Sequence, residues 1–211
     1  MESENTYHPN RDEDILDAIK KKEKGWKRTR LNRISASERL KGYSQKWAVI
    51  TFMFNVEAVL FMIVSLKYPL HNGLDAAFSG FFSLYVILLQ YYLTTLNYEA
   101  KSLKFHYEQL QIENLRLRLK KLYYSDRTLQ EIEEIYTGIV NEYQEGLTGY
   151  ENHTQNDDLK TEAKIKDRIN SEDKKTAKIR DFSLDNVFIY VNFGIEALSL
   201  ISFLGLYFFT S

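Results

Sequence analysis

Three stretches of the chain, 47–66, 76–96 and 187–209, contain no lysine or arginine and are built mainly from large apolar residues. Each is close to the ~20 residues that an α-helix needs to cross the hydrocarbon core of a bilayer. No water reaches backbone N–H and C=O groups there, so an open segment of this kind is satisfied only as a helix. Core helices of a soluble bundle usually keep a polar stripe, whereas these blocks carry large side chains on all faces. The mean hydropathy of the whole chain, −0.39, hides the pattern because nearly all the charge lies between or before the blocks. The expected fold is an all-α membrane protein. It has a transmembrane helical hairpin (47–98), a long cytoplasmic helical stalk and bundle (99–186) and a third, C-terminal transmembrane helix (187–209). An N-terminal segment with a basic amphipathic helix (1–46) precedes them.

Charge sets the expected orientation. Residues 1–46 hold 12 Lys or Arg and residues 99–186 hold 15, whereas the 67–75 loop holds only Lys67. The positive-inside rule therefore puts the N-terminus and 99–186 in the cytoplasm and the loop outside. The cluster KKKEKGWKRTR at 20–30 suits an anionic inner leaflet, or serves only to orient the chain. Membrane lipids are thus one expected partner. A net charge of −1 argues against direct nucleic-acid binding as the main role. The absence of cysteine excludes disulfides, thiolate catalysis and thiolate zinc sites.

Pro69 and Asn72-Gly73 predict a tight turn between the first two spans. Upstream, Ile15, Leu16, Ile19, Trp26, Leu31, Ile34 and Leu40 have a thin helical period, with a break expected near Gly25. Beyond Pro69 there is no proline, so the second span is free to continue into the stalk. There Leu96, Leu103, Leu110 and Leu117 recur every seven residues, with Tyr107 and Asn114 three before the last two. A leucine in each heptad and one Asn at the other seam position is how parallel helices fix register and partner number. Leu103, Tyr107, Leu110, Asn114 and Leu117 are therefore the candidate oligomerisation face; the alternative is that they face an intramolecular core. A second stripe, Ile112, Leu115, Leu119 and Leu122, lies on another face and suits a helix folding back. Thr128 and Glu131 match a capping box opening a helix to about Leu147, whose Ile132, Tyr136, Ile139 and Tyr143 would lie on the stalk.

Polar residues inside the apolar blocks carry the functional signal. An ionised carboxylate at a span centre costs about 3 kcal/mol even on the mild insertion scale, so it tends to face a bundle interior or water. Glu57 and Glu196 lie near the middles of the first and third blocks, and Asn55, Gln90 and Asn192 add polar groups near those levels. In an oligomer such residues form rings that line a cation path. Alternatively, they hydrogen-bond neighbouring helices with no conduction. There is no phosphate-binding glycine loop, nucleophile elbow or HExxH, and His8, His71, His106 and His153 are dispersed. No catalytic residues, cofactor or metal are expected, and the chain does not read as an enzyme. The densest polar cluster, ENHTQNDD at 151–158, offers His153 and Asp157 at helical spacing without the further ligands that zinc or hard cations need. A loop or helix-cap role is the alternative.

The basic N-terminal helix, the hairpin with its short outer turn, the long stalk, and Glu151-Asn152-His153 followed by Asp157 and Asp158 together resemble the SLATT family of bacterial conflict proteins, in its extended, reverse-transcriptase-associated type. The resemblance runs from about Trp26 to the C-terminus. It implies a two-transmembrane effector of the bacterial inner membrane that oligomerises and permeabilises that membrane in anti-phage defence, arresting growth or killing the cell. It also implies a cytoplasmic partner such as a reverse transcriptase or a nucleotide-signalling enzyme. The third span departs from the two-span description. The competing reading is a non-conducting membrane scaffold whose coiled stalk recruits a soluble enzyme.

Overall fold

The computed structural model describes residues 9–147, 154, 157–159, 161–163, 165 and 183–210. Its long helices are α1 (Pro9–Lys67), α2 (Leu74–Leu96), α3 (Tyr98–Tyr123), α4 (Leu129–Leu147) and α5 (Leu184–Thr210). Residues 157–159, 161–163 and 165 are also helical, and no strand occurs among the described residues. Three helices, α1, α2 and α5, contain stretches long and apolar enough to cross a membrane. The protein is an all-α membrane protein.

The chain divides into two compact units. A stalk unit takes in the chain up to Glu38 together with Ser102–Ile179, and a membrane unit takes in Arg39–Lys101 together with Arg180–Ser211. Both α1 and α3 supply residues to each.

In the stalk unit the core is apolar and comes from three helices. Ile19 and Trp26 of α1 meet Ile112, Leu115, Leu119 and Leu122 of α3 and Ile132 and Ile139 of α4. The Trp26 ring stacks on Tyr143 at 4.2 Å between centroids and 15° between planes. α1 is one continuous helix of 59 residues, where the sequence suggested a break at Gly25. The reason is packing: a mid-helix glycine costs about 1 kcal/mol relative to alanine. Burial of Ile19 on one side of Gly25 and Trp26 on the other is worth more, at ~1.5–3 kcal/mol for each large apolar side chain. The turn before α4 is held by Glu131, whose Oε2 accepts from the Thr128 backbone N–H and hydroxyl, both at 3.0 Å.

The hairpin of the membrane unit turns at Gly73, whose φ of 67° lies in the left-handed region that favours glycine. Asn72 Oδ1 accepts from the Leu74 N–H at 3.1 Å and fixes the entry to α2. α2 does not run unbroken into the stalk. It ends at Asn97, at φ 48° and ψ 45°, whose N–H still donates to the Leu93 carbonyl. Asparagine is the non-glycine residue that best tolerates this conformation, so it ends a helix without proline or glycine.

Gly25 is exposed, and a Cβ built on it meets nothing within 4 Å. Gly25→Ala should therefore raise the stability of the detergent-solubilised protein by ~0.5–1 kcal/mol, read as a rise in the denaturation midpoint. A fall would show that α1 needs to bend there.

Candidate functional site

Each helix of the membrane unit turns one face inward, and the helical repeat decides which residues lie on it. α1 buries Phe54, Glu57, Phe61 and Ser65; α2 buries Asp75, Ser79, Phe82, Val86 and Leu89; α5 buries Ile189, Asn192, Ser199 and Phe203. Large apolar side chains such as Phe52, Leu60, Phe81, Ile87, Leu198 and Ile201 remain exposed, as lipid-facing positions do.

The buried polar groups are paired between helices. Asn192, fully buried, accepts from the Tyr85 hydroxyl at 2.6 Å and donates to the Phe188 carbonyl at 2.8 Å. The Ser199 hydroxyl lies 2.8 Å from Glu57 Oε1 and 2.7 Å from the Glu196 carbonyl oxygen. Glu57 Oε2 is buried and has no hydrogen-bond partner among the described residues. Towards the turn, Ser65 and Ser79 hydroxyls meet at 2.9 Å, and Asp75 Oδ2 accepts from the Leu70 N–H and the Tyr207 hydroxyl, both at 3.3 Å. Asp75 is 1 % exposed, and its Oδ1 likewise has no partner among the described residues. Nearer the α2 C-terminus, Tyr98 donates to Asp185 at 2.8 Å and Lys46 to Asn186 at 3.0 Å.

Of the intramembrane residues singled out above, Glu57 and Asn192 are thus interior. Glu196 and Gln90 are half-buried, and Asn55 is exposed and donates to the Thr51 carbonyl at 2.6 Å. Asp75, Ser199 and Tyr85 were not singled out, and Tyr207 drew notice only as an aromatic residue at a block end that suits the water interface. Asp75 sits one residue before the second apolar block, and tyrosine, with 15 copies, carried no positional signal.

On α3 the two stripes separate cleanly. Leu103, Tyr107, Leu110 and Leu117 are 50 %, 64 %, 48 % and 50 % exposed, and Asn114 is exposed as well. The intramolecular core takes Ile112, Leu115, Leu119 and Leu122 instead, so among the described residues the heptad stripe does not face a core.

In the 151–158 cluster, Glu151, Asn152 and His153 lie outside the described residues. Asp157 Oδ2 accepts from the Thr154 N–H at 3.0 Å and hydroxyl at 2.8 Å, a capping arrangement like that at Thr128. Asp158 takes Arg28 by both oxygens, at 3.2 and 2.8 Å, and also accepts from Asn32 at 2.8 Å. Both aspartates therefore tie their segment together and to α1. No metal-holding group of three or more His, Asp or Glu occurs among the described residues. Further along the stalk unit Arg33 and Glu108 form a buried pair at 3.2 Å, 5 % and 3 % exposed, with the guanidinium 5.1 Å from the Phe105 ring. Arg116 bridges Glu113 at 2.9 Å and also binds Glu23. That bonding, with Arg30 nearby, holds the Glu113 carboxyl below the usual carboxylate range.

The helices and their inward polar groups define an all-α membrane protein without an assembled catalytic centre among the described residues. Residues 15–209 match the model of the SMODS and SLOG-associating 2TM effector domain family 5, and the chain belongs to this SLATT family. It is a family of membrane effectors rather than known enzymes, and the matched region includes α5. No curated protein and no solved structure matches the chain.

Two outcomes follow for the stalk unit. Glu108→Gln, which takes the carboxylate away from the buried Arg33 guanidinium, should cost about 1–3 kcal/mol in denaturant unfolding, and Arg33→Met with Glu108→Leu should recover part of it. A carboxylate whose folded pKa lies below its unfolded value contributes stability that is complete above the unfolded value, ~4.3 for Glu, and is lost as pH falls through the folded one. Stability should accordingly fall on acidification below that range, and Glu113→Gln should be less stable at neutral pH with a flatter acid limb.

Proposed function

We propose that this chain is a membrane effector of bacterial anti-phage defence that self-associates and permeabilises the inner membrane, arresting or killing the cell. The observation that carries this reading is Glu57. A carboxyl buried among membrane helices, with one oxygen unpartnered among the described residues and no lysine or arginine in any of the three apolar blocks, is expensive and does more than packing requires. Asn192 with Tyr85 and the neighbouring Glu196 extend the polar set along the same interior.

Self-association would use the heptad stripe of α3. Its five residues are exposed, and the helix's other face is already filled. With the N-terminus and the stalk cytoplasmic, as the distribution of Lys and Arg indicates, every copy enters the membrane the same way round. Stalks meeting around an axis normal to the bilayer are then necessarily parallel, which is the arrangement a leucine heptad with Asn114 specifies. The trigger would be a cytoplasmic partner, such as a reverse transcriptase or a nucleotide-signalling enzyme, that changes how the stalks pack. The competing reading is a non-conducting scaffold that uses the same stripe to recruit a soluble enzyme; the buried carboxyl favours conduction.

A voltage-sensitive dye in bacteria expressing the chain tests this directly. With its partner and a phage trigger supplied, wild type should depolarise the inner membrane, and Glu57→Leu or Glu196→Leu at matched membrane levels should abolish the effect. An intact potential even with partner and phage supplied would leave the scaffold.

A further inference from the structure

The interior of the membrane unit is layered. From one side comes Asn192 with Tyr85, then Glu57 with Ser199 and Glu196. On the turn side lie Ser65 with Ser79 and Asp75 with Tyr207. Between Glu57 and the turn-side group sits a layer of rings alone. Phe61 stacks on Phe203 at 4.1 Å between centroids, and Phe82 and Phe78 close on Phe61 at 5.1 and 5.6 Å. Phe78 also lies 5.8 Å from Phe203, so the four rings form one contiguous patch.

The register within each helix makes this a layer and not a coincidence of one contact. α1 reads Glu57, Phe61, Ser65; α5 reads Ser199, Phe203, Tyr207; α2, running the other way, reads Asp75, Ser79, Phe82, Tyr85. All three helices thus place a polar group, a phenylalanine and a polar group on one face at three- or four-residue steps. On either side of the rings stands a buried carboxyl, Glu57 and Asp75, each with one oxygen that has no partner among the described residues. Packing alone would be served as well by apolar residues, because every buried polar group in a bilayer is a cost unless it is satisfied. What the arrangement offers is a buried carboxyl on each side of an apolar ring layer of the kind that closes a path by excluding water, with the fully buried Phe54 ring, 5.7 and 5.8 Å from Phe82 and Tyr85, on the Asn192 side of Glu57.

We propose that a proton path runs through the three-helix interior of each chain and that the Phe61, Phe78, Phe82 and Phe203 rings are its closed gate. This rests on the permeabilising reading above and supplies its conducted species and its regulation. In the closed state protons reach Glu57 from the side of the unit where Asn192 and Tyr85 lie and stop at the rings. When the rings part, water fills the layer and links Glu57 to Asp75. The charged and titratable groups facing this interior are Glu57 from α1, Asp75 and Tyr85 from α2, and Glu196 and Tyr207 from α5.

The test uses the purified full chain in potassium-loaded liposomes with a trapped pH dye and valinomycin, so that proton entry is driven electrically. Wild type should be nearly proton-tight. Phe61→Ala, which opens the layer, and Phe61→Tyr, which keeps the ring and adds a hydroxyl to it, should each raise proton entry roughly tenfold. Adding Glu57→Gln to either should return entry to the wild-type level. Phe61→Tyr guards against misfolding, and circular dichroism checks that each variant keeps its helix. Tight Phe61 variants with helix retained would overturn the gate, as would a leak indifferent to Glu57→Gln or one carrying sodium as readily as protons. If those variants are tight while wild type with its trigger still depolarises cells, the gate is wrong and the effector reading stands. If triggered wild type also leaves cells polarised, both fail.

Discussion

The interior of the membrane unit is organised by the absence of lysine and arginine from its three apolar blocks. Glu57 and Asn192 lie in blocks that contain no lysine or arginine, and Asp75 adjoins one. Each takes a hydroxyl from another helix. Ser199 serves Glu57, Tyr85 serves Asn192 and Tyr207 serves Asp75. Two of these contacts join α5 to one of the hairpin helices through the carboxyls, and the third does so through the amide. The third apolar helix is therefore what closes the hairpin's polar face, and the family match extending to residue 209 fits a helix that is integral to the domain.

The stalk unit follows a different logic. Its apolar core of Trp26, Leu119, Ile139 and their neighbours is an ordinary three-helix packing that supplies stability by burial. Closer to residues 32–37 and 102–109, the interior turns polar, with Arg33, Glu108, Asn32, Ser35 and Gln109 all buried. Buried ion pairs add little net stability but penalise wrong arrangements, because a displaced partner strands a charge. α3 thus has one apolar face packed in this core and one exposed heptad face.

Much of the fold was legible because membrane crossing leaves few options. Block length, the lack of Lys and Arg, and the Pro69 and Asn72-Gly73 turn specify three apolar helices with a tight hairpin. The capping pair Thr128 and Glu131 marked the start of α4 for a local reason that needs no tertiary knowledge. Two features were not legible. The continuity of α1 through Gly25 depends on Trp26 finding Tyr143, a contact 117 positions away in the chain. The interruption at Asn97 depends on a left-handed residue that composition does not announce. Within the candidate site, Glu57 and Asn192 stood out as polar residues in apolar runs. Their hydroxyl partners did not, since serine and tyrosine are unremarkable in any helix and acquire meaning only when another helix brings a carboxyl to them.

The central claim is that α5 packs its polar face against that of α1 within one chain. The chain has no cysteine, so a double replacement reports on that contact without background. Glu57→Cys with Ser199→Cys, expressed in membranes and treated with a mild oxidant or mercuric ion, should cross-link within single chains and shift on a denaturing gel. Asn55→Cys with Ser199→Cys, which starts from the exposed face of α1, should not. Failure of the first pair to cross-link, or equal cross-linking of both, would contradict the account.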